Sequence, residues 1–445
     1  MKSVLRFAPS PTGHLHIGNV RTALFNWLFA EKTGGEVILR LDDTDIARCK
    51  QEYVDGIYED LEWLGIGYSK EEKQSARAAR YDEVLQKLIK DSRVYVCYET
   101  PEELEYMRRK QRKKGLPPIY DRSALSLTDN QKKAYEKEGR KPHYRFMLNH
   151  EEIKWTDLVR GDCHYHGAHQ SDPIIVREDG TLLYMLPSVI DDADFGITHI
   201  IRGEDHVTNS AVQIQMFETL GAKVPEFAHL PLITGMDGKL SKRTGSLSVC
   251  EMREDGVEPM AINGFLAHLG AGRPFKPCFD LKEMAKDFDI SSFGRSQPKF
   301  DIKELEHINA QLVHDMPYSY AVKRLESFNS KMVSEDFWET VKPNLSNIKE
   351  VSDWYQICMN DISCKVDAQD AEFLKNTVKF LPSEPWNEET FSIWTKDVSN
   401  NLARKGKELF MPIRLALTGL EHGPELKHLL PLIGKDKTIE RLSKQ

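Results

Sequence analysis

The chain has 445 residues, 40% of them apolar and 29% charged, with a formal net charge of −8. That is too long for one ordinary core and has the composition of a globular protein, so roughly two to four domains are expected. The acidic balance excludes a uniformly basic nucleic-acid binder, and no stretch approaches the roughly 18 uninterrupted apolar residues of a membrane span. Seven scattered cysteines (49, 97, 163, 250, 278, 358 and 364) form no paired framework and suit a reducing cytoplasm. Met1 leads almost directly into apolar sequence, so no signal peptide, transit peptide or anchor is expected.

Val4, Leu5, Phe7 and Ala8 make a short apolar run suited to a buried parallel strand. The stretch Arg6-Phe-Ala-Pro-Ser-Pro-Thr-Gly-His-Leu-His-Ile-Gly-Asn19 then turns into a helix whose Val20, Ala23, Leu24, Trp27 and Leu28 share one apolar face. A strand end joined to a helix start presents unpaired backbone N–H groups and a positive dipole end, which favour phosphate. Pro9 and Pro11 stiffen the turn, Gly13 and Gly18 permit close approach of a ligand, and His14 and His16 add donors. Read alone, the stretch is equally a helix cap with two surface histidines. The second strand, Glu36-Val-Ile-Leu-Arg-Leu41, runs into Asp42, Asp43, Thr44 and Asp45, whose carboxylates would face the same crevice.

Residues 1–80 therefore open a doubly wound α/β domain. From 81 to 186 the texture changes to an insertion, with charged helices at Glu102 to Lys114 and around Asp129 to Glu138, separated by Gly115-Leu-Pro-Pro118. The run Arg108-Arg-Lys-Gln-Arg-Lys-Lys114, with Arg122, Lys132 and Lys133, is a candidate RNA patch or else a solvated helix face. Cys163-His-Tyr-His166 and His169 fit no zinc spacing and read as a hairpin entering Asp172-Pro-Ile-Ile-Val176. The α/β domain resumes through Leu182 to Leu186, Asp191-Asp192, a strand from Ile197 to Arg202 and a helix from Asn209 to Leu220 ending at Gly221. Lys239-Leu-Ser-Lys-Arg243 follows between Gly235, Gly238 and Gly245, a loop carrying two ammonium groups and a guanidinium. Residues 259 to about 312 read as helices with a linker at 270–277. Beyond them nearly everything has helical period, including Asp370 to Phe380, Glu389 to Ala403 and Pro412 to Leu417.

His16-Ile-Gly-Asn19 and Lys239-Leu-Ser-Lys-Arg243 resemble the two nucleotide signatures of class I aminoacyl-tRNA synthetases. With Arg6 to Gly13, Ala23-Leu-Phe-Asn-Trp-Leu-Phe29, Arg202-Gly-Glu-Asp-His206 and Ala416-Leu-Thr-Gly419, the chain resembles the bacterial glutamyl-tRNA synthetases from end to end. The resemblance implies a Rossmann-type doubly wound parallel sheet (1–80 and 187–236) interrupted by an α+β acceptor-binding insertion (81–186). A lysine loop and stem-contact region (237–312) and an all-helical anticodon-binding part (313–445) would follow.

The implied reaction attacks the α-phosphorus of ATP with glutamate's carboxylate, expels pyrophosphate, and passes glutamate to the terminal adenosine of tRNA. Positioning and charge neutralisation carry such a step. By resemblance, His16, Lys239 and Lys242 are catalytic, and Thr12, His14, Gly18, Asn19 and Ser241 join them around ATP. Arg6, with Tyr184, would hold glutamate's side-chain carboxylate and Arg202 its α-carboxylate. Ser10 and Asp42 would take the ammonium, and Ala8 and Ser188 complete the pocket. Asp42 stands where the family usually has glutamate, and Ser188 where asparagine is common.

Mg²⁺ is expected with the nucleotide and no protein metal site is expected. Some relatives carry zinc, but here Cys97 is followed by Tyr98 and Glu99, with no partner cysteines near Asp121-Arg-Ser123. Partners are L-glutamate and tRNA(Glu), with tRNA(Gln) left open, no membrane and no DNA, in a cytoplasmic monomer. The alternatives are glutaminyl-tRNA synthetase, a shorter relative that modifies a tRNA base, and a silent tRNA-binding paralogue.

Overall fold

A computed structural model describes residues 2–45, 47–236, 248–272, 275–327, 333–362 and 366–444. The chain divides into two compact units, one of Met1–Arg253 with Asn263–Asp301, the other of Glu254–Ile262 with Ile302–Gln445.

The first unit opens with β1 (Val4–Phe7), α1 (Ile17–Thr33), β2 (Glu36–Leu41), α2 (Gln51–Leu64), β3 (Lys70–Lys73) and α3 (Ala78–Lys90). The N-cap of α1 is His16, whose Nδ1 accepts from the Gly18 and Asn19 amides, while the Asn19 side chain accepts from the His16 amide. Gly34 closes the helix in the left-handed region, φ 63°. At Gly35 an added Cβ would strike Ser3, so only glycine lets the chain turn tightly into β2. β3 has no apolar residue at all, Lys-Glu-Glu-Lys, and its strand state comes from parallel pairing with β2 at an edge where charge discourages further pairing.

The insertion follows: β4 (Val94–Cys97), α4 (Pro101–Lys113), α5 (Asp129–Lys137), β5 (His143–Phe146), β6 (Glu152–Asp157), β7 (Gly161–His166) and β8 (Ile174–Val176). β4, β5 and β8 form one antiparallel sheet and β6 with β7 a separate hairpin. Cys163 to His166 thus lies in a hairpin that leads on into Ile174–Val176, as expected. β7 folds back on the preceding strand, closed by the left-handed Gly161, φ 71°. In α4, Glu105 lies 3.9 Å from Arg108, 3.3 Å from Arg109 and 3.5 Å from Arg112, which partly neutralises the basic run. Arg122 is drawn inward, bonded to the buried Asp172 at 2.8 Å.

The α/β layer resumes with α6 (Met185–Asp194), β9 (His199–Gly203), α7 (Val207–Leu220) and β10 (Glu226–Leu230). β9 pairs parallel with β10 and lies beside β1, where the Thr198 amide donates to the Val4 carbonyl at 2.9 Å. β3, β2 and β1 form one parallel sheet and β9 with β10 a second, and the two meet where β9 lies beside β1. One apolar cluster, including Tyr81, Leu88, Phe146, Ile175, Val189, Ile200 and Phe217, runs under both the insertion and the α/β layer. β11 (Thr234–Gly235), α8 (Val249–Glu254), α9 (Pro259–His268), α10 (Leu281–Asp287) and β12 (Lys299–Phe300) follow, with β11 pairing to β12.

In the second unit the described elements after α9 are helical: α11 (Ile302–Asp315), α12 (Tyr318–Ser327), α13 (Glu335–Val341), α14 (Glu350–Met359), α15 (Ala368–Thr377), α16 (Glu388–Leu402), α17 (Lys407–Thr418), α18 (Leu426–Ile433) and α19 (Lys435–Ser443). Buried Trp338 and Trp394 each find a carbonyl for the indole N–H, Met316 and Thr377 respectively, both at 3.0 Å. Arg441 donates to the Leu417, Ile357 and Asn360 carbonyls at the ends of α17 and α14, where a cation complements the helix dipoles.

Candidate active site

Arg6, Arg40 and Arg202 each occupy the next-to-last position of a parallel strand, β1, β2 and β9, and all three are buried. Burying three guanidiniums requires partners, and α6 supplies most of them. Asp192 accepts from Arg6 Nε at 3.2 Å and from Arg40 Nη1 at 2.7 Å. Arg40 also binds Asp42 through Nε at 2.7 Å and Nη2 at 3.3 Å, and reaches the Ser188 hydroxyl at 3.5 Å. Asp191 takes Gln74, Arg77 and Tyr81 at 2.7 to 3.0 Å. Burial alone would drive Arg40 toward losing its proton, but Asp42, Asp192 and Asp191 outweigh it and hold the charge firmly. Burial raises the Asp42 carboxyl above its usual range, opposed by Arg40.

Arg202 differs. Its Nη1 donates to the Tyr184 hydroxyl at 2.8 Å and its Nη2 to Ser210 Oγ at 2.5 Å and Gln213 Oε1 at 2.7 Å, all neutral groups. Its Nε is buried without a hydrogen-bond partner among the described residues, and burial lowers its pKa, with Arg6 adding repulsion. A buried cation with no carboxylate in hydrogen-bond contact is poised for an anionic ligand.

The His14 to Asn19 turn faces solvent. Because Nδ1 of His16 accepts two amides, the ring proton sits on Nε2, which is left as an outward donor. Partial desolvation lowers the His16 pKa, in the same direction as this cap, which needs Nδ1 unprotonated. His14 packs edge-on against Tyr53 at 5.1 Å between centroids. Thr12 and Ser10 are exposed, and Gly18 and Asn19 lie in the first turn of α1. Lys239, Ser241 and Lys242 fall outside the described residues. The chain that follows them returns to the turn: Ser248 bridges His16, and the Val249 amide donates to Leu15 at 3.1 Å.

Family comparison decides what these features belong to. Residues 2–307 match the family described as tRNA synthetases class I (E and Q), catalytic domain, and residues 305–445 match an anticodon binding domain. The chain belongs to the class I tRNA synthetases.

The synthetase is 50% identical over 444 residues to glutamate–tRNA ligase 1 of Rhodospirillum rubrum and 48% identical over 443 residues to that of Rickettsia massiliae, each comparison covering 99% of both chains. A solved structure of a glutamate tRNA ligase from Elizabethkingia meningosepticum, in complex with its amino acid, has a TM-score of 0.86 at 28% identity, covering 100% of this chain and 99% of that one.

Several residues that build the site were not singled out from the sequence as site residues. Arg40 and the Asp191-Asp192 pair carried a signal, since charge inside an apolar strand or helix is costly unless paired. Among the described residues of the synthetase, Cys97, Glu99 and His143 bring ligand-type atoms within 4.8 Å of one another. The Tyr120 hydroxyl stands among them, donating to Glu99 at 2.6 Å and lying 3.7 Å from Cys97 Sγ. Burial pushes the uncoordinated Cys97 thiol up to about 12, so it is protonated beside the Tyr120 hydroxyl.

Below the His14 turn, Asp60 is 1% exposed, neither oxygen has a hydrogen bond among the described residues, and Arg253 approaches to 3.4 Å. Burial raises its pKa to about 6. A carboxyl with a raised folded pKa favours folding when protonated, so its contribution is lost as pH rises from about 4 to about 6. Asp60→Asn is therefore expected to raise the thermal midpoint at pH 8 by a few degrees, roughly 1–3 kcal/mol, and to change nothing below about pH 4. Unfolding curves of both proteins at the two pH values check this.

Proposed function

We propose that the chain is a glutamate–tRNA ligase: it activates L-glutamate with ATP and transfers it to the terminal adenosine of tRNA(Glu). The observation that carries this reading is full-length identity of 47–50% to proteins of that name. The two buried guanidiniums at adjacent strand ends, suited to a diacid, support it from the geometry.

In this reading Arg202 receives the α-carboxylate and Arg6 the side-chain carboxylate through its Nη atoms, which have no hydrogen bond among the described residues. Tyr184, bonded to Arg202, shares that end. Asp42 and Ser10 meet the ammonium, Asp42 with the lone pairs Arg40 leaves open, and Ala8 lines the floor. Ser188 acts from behind, on Arg40. His16 Nε2–H, with Thr12, His14 and the amides of Gly18 and Asn19, contacts the phosphates, and Lys239, Ser241 and Lys242 meet the charge that develops on leaving pyrophosphate. Mg²⁺ arrives with the triphosphate. A cavity of about 890 Å³ beside Met185 and Asn209, lined on the insertion side by His164, His166 and His169, suits the unstacked RNA terminus.

Among the described residues no helix is long and apolar enough to cross a membrane, and the six described cysteines are free thiols, which supports a cytoplasmic setting. Charging purified tRNA(Glu) and tRNA(Gln) with glutamate and glutamine, each tested separately, is the experiment. Glutamyl-tRNA(Glu) and tRNA-supported ATP–pyrophosphate exchange are expected. Glutamine as the preferred amino acid, or no exchange, overturns the reading.

A further inference from the structure

Arg202 is held from behind by a chain of buried groups that the activity itself does not require one to look for. Its Nη2 donates to Ser210 Oγ, Ser210 Oγ lies 2.8 Å from His229 Nε2, and His229 Nδ1 lies 2.6 Å from Asp157 Oδ2. Asp157, His229, Ser210 and Gln213 are all at most 2% exposed. Asp157 belongs to the inserted β6–β7 hairpin, Ser210 to α7 and His229 to β10, so three sequence-distant elements meet behind one side chain.

The protons in this chain are determined by its two ends. Arg202 can only donate and Asp157, ionised, can only accept. Asp157 Oδ1 already accepts the amides of Val159, Arg160 and His229 at 3.0, 2.9 and 3.1 Å, which favours the carboxylate. Burial keeps His229 neutral, so its one proton sits on Nδ1, facing Asp157. His229 Nε2 must then accept, and the hydrogen it accepts is that of Ser210, whose other acceptor, the His206 carbonyl, lies farther off at 3.3 Å. The Ser210 lone pairs are thereby turned toward Arg202. Every donor in the series points the same way, from guanidinium to carboxylate, and bonds so aligned reinforce one another.

We infer that Ser210, His229 and Asp157 are positioning residues for glutamate activation, a relay through which the turn of the inserted hairpin fixes the orientation of Arg202. This rests on the reading above in which Arg202 holds the α-carboxylate. Without the relay, Nη2 keeps Gln213 alone, and the guanidinium plane is held only by that bond, the Nη1 bond to Tyr184 and the Phe227 ring beneath it. Orientation of a planar donor matters most where a planar acceptor must be met by two parallel bonds.

Ser210→Ala is the cleanest test, since it removes one oxygen from a helix that alanine favours. Steady-state kinetics of the full chain with tRNA(Glu) are expected to show KM for glutamate rising about tenfold or more, KM for ATP changing less than about twofold, and Ser210→Thr restoring much of the loss. Asp157→Asn is expected to act in the same direction. It presents an amide N–H to His229, so ¹⁵N NMR of the imidazole is expected to show the Nδ1–H tautomer in the parent and the Nε2–H tautomer in the variant. An unchanged glutamate KM in Ser210→Ala, or glutamate and ATP KM values rising together, overturns the relay. Arg202→Lys separates the two layers. If it raises the glutamate KM while Ser210→Ala does not, the relay alone is wrong. If Arg202→Lys leaves that KM unchanged, the placement of the α-carboxylate falls and the relay with it.

Discussion

Arg202→Met is expected to lose about a hundredfold to a thousandfold in kcat/KM for glutamate, yet to unfold no more easily than the parent protein. The two halves of that expectation have one cause. The Arg202 charge is buried against Tyr184, Ser210 and Gln213, with no carboxylate in hydrogen-bond contact among the described residues, so the folded protein bears a desolvation cost that these neutral partners offset only in part. Methionine has a similar length and no charge, and replacing an uncompensated buried ion by an apolar side chain is neutral or stabilising. Denaturant unfolding beside ATP–pyrophosphate exchange measures both. A variant that is much less stable, or one that activates glutamate normally, contradicts this account of the site.

Arg40→Met is expected to behave in the opposite way, destabilising the protein by about 3–5 kcal/mol, a large part of a typical stability. Arg40 is 1% exposed and is met by Asp42 and Asp192 at 2.7 Å each and Asp191 at 3.8 Å. Removing the cation strips Asp42 of its ion partner and leaves Asp192 with Arg6 and Asp191 with Arg77, so three buried carboxylates repel one another with less positive charge between them. The penalty therefore grows with pH: it is smallest in acid below the usual carboxylate range, where the unfolded chain is protonated too, and largest above neutrality. Chemical denaturation of the variant at pH 5 and pH 8 tests it, and equal destabilisation at both values would contradict the charge argument. The same variant is expected to lose activity only in proportion to its unfolding if Arg40 serves purely as a scaffold for Arg6 and Asp42.

How much of this was legible in the amino-acid order differs by residue. The β1 strand, its Pro/Gly turn and α1 were readable because each is set by local chemistry: an apolar run, fixed φ angles, a capping side chain and an i, i+3, i+4 face. β3 was not, because a strand of four charged residues has no periodicity and exists through its partner. The hairpin at Cys163 to His166 was readable, but its partner strand was not, because alternation marks a strand and says nothing about which neighbour it pairs with. Arg6 and Arg202 came from motif resemblance. Arg40 and Asp192 are brought together by the β1–β2 register and the docking of α6 across 152 residues, and Asp157 and His229 meet across 72. Such pairs are products of the whole fold.

The carboxylate of Asp192 reaches Arg6 and Arg40 from a helix that follows them by well over a hundred residues. Each long side chain so tethered forfeits up to about 2 kcal/mol of rotational freedom while the chain is folding. Nothing of that kind remains to be given up when a diacid arrives. On the proposed reading of the site, Arg6 and Arg40 are set in advance, and what governs association there is the fit of the newcomer and the water it must shed.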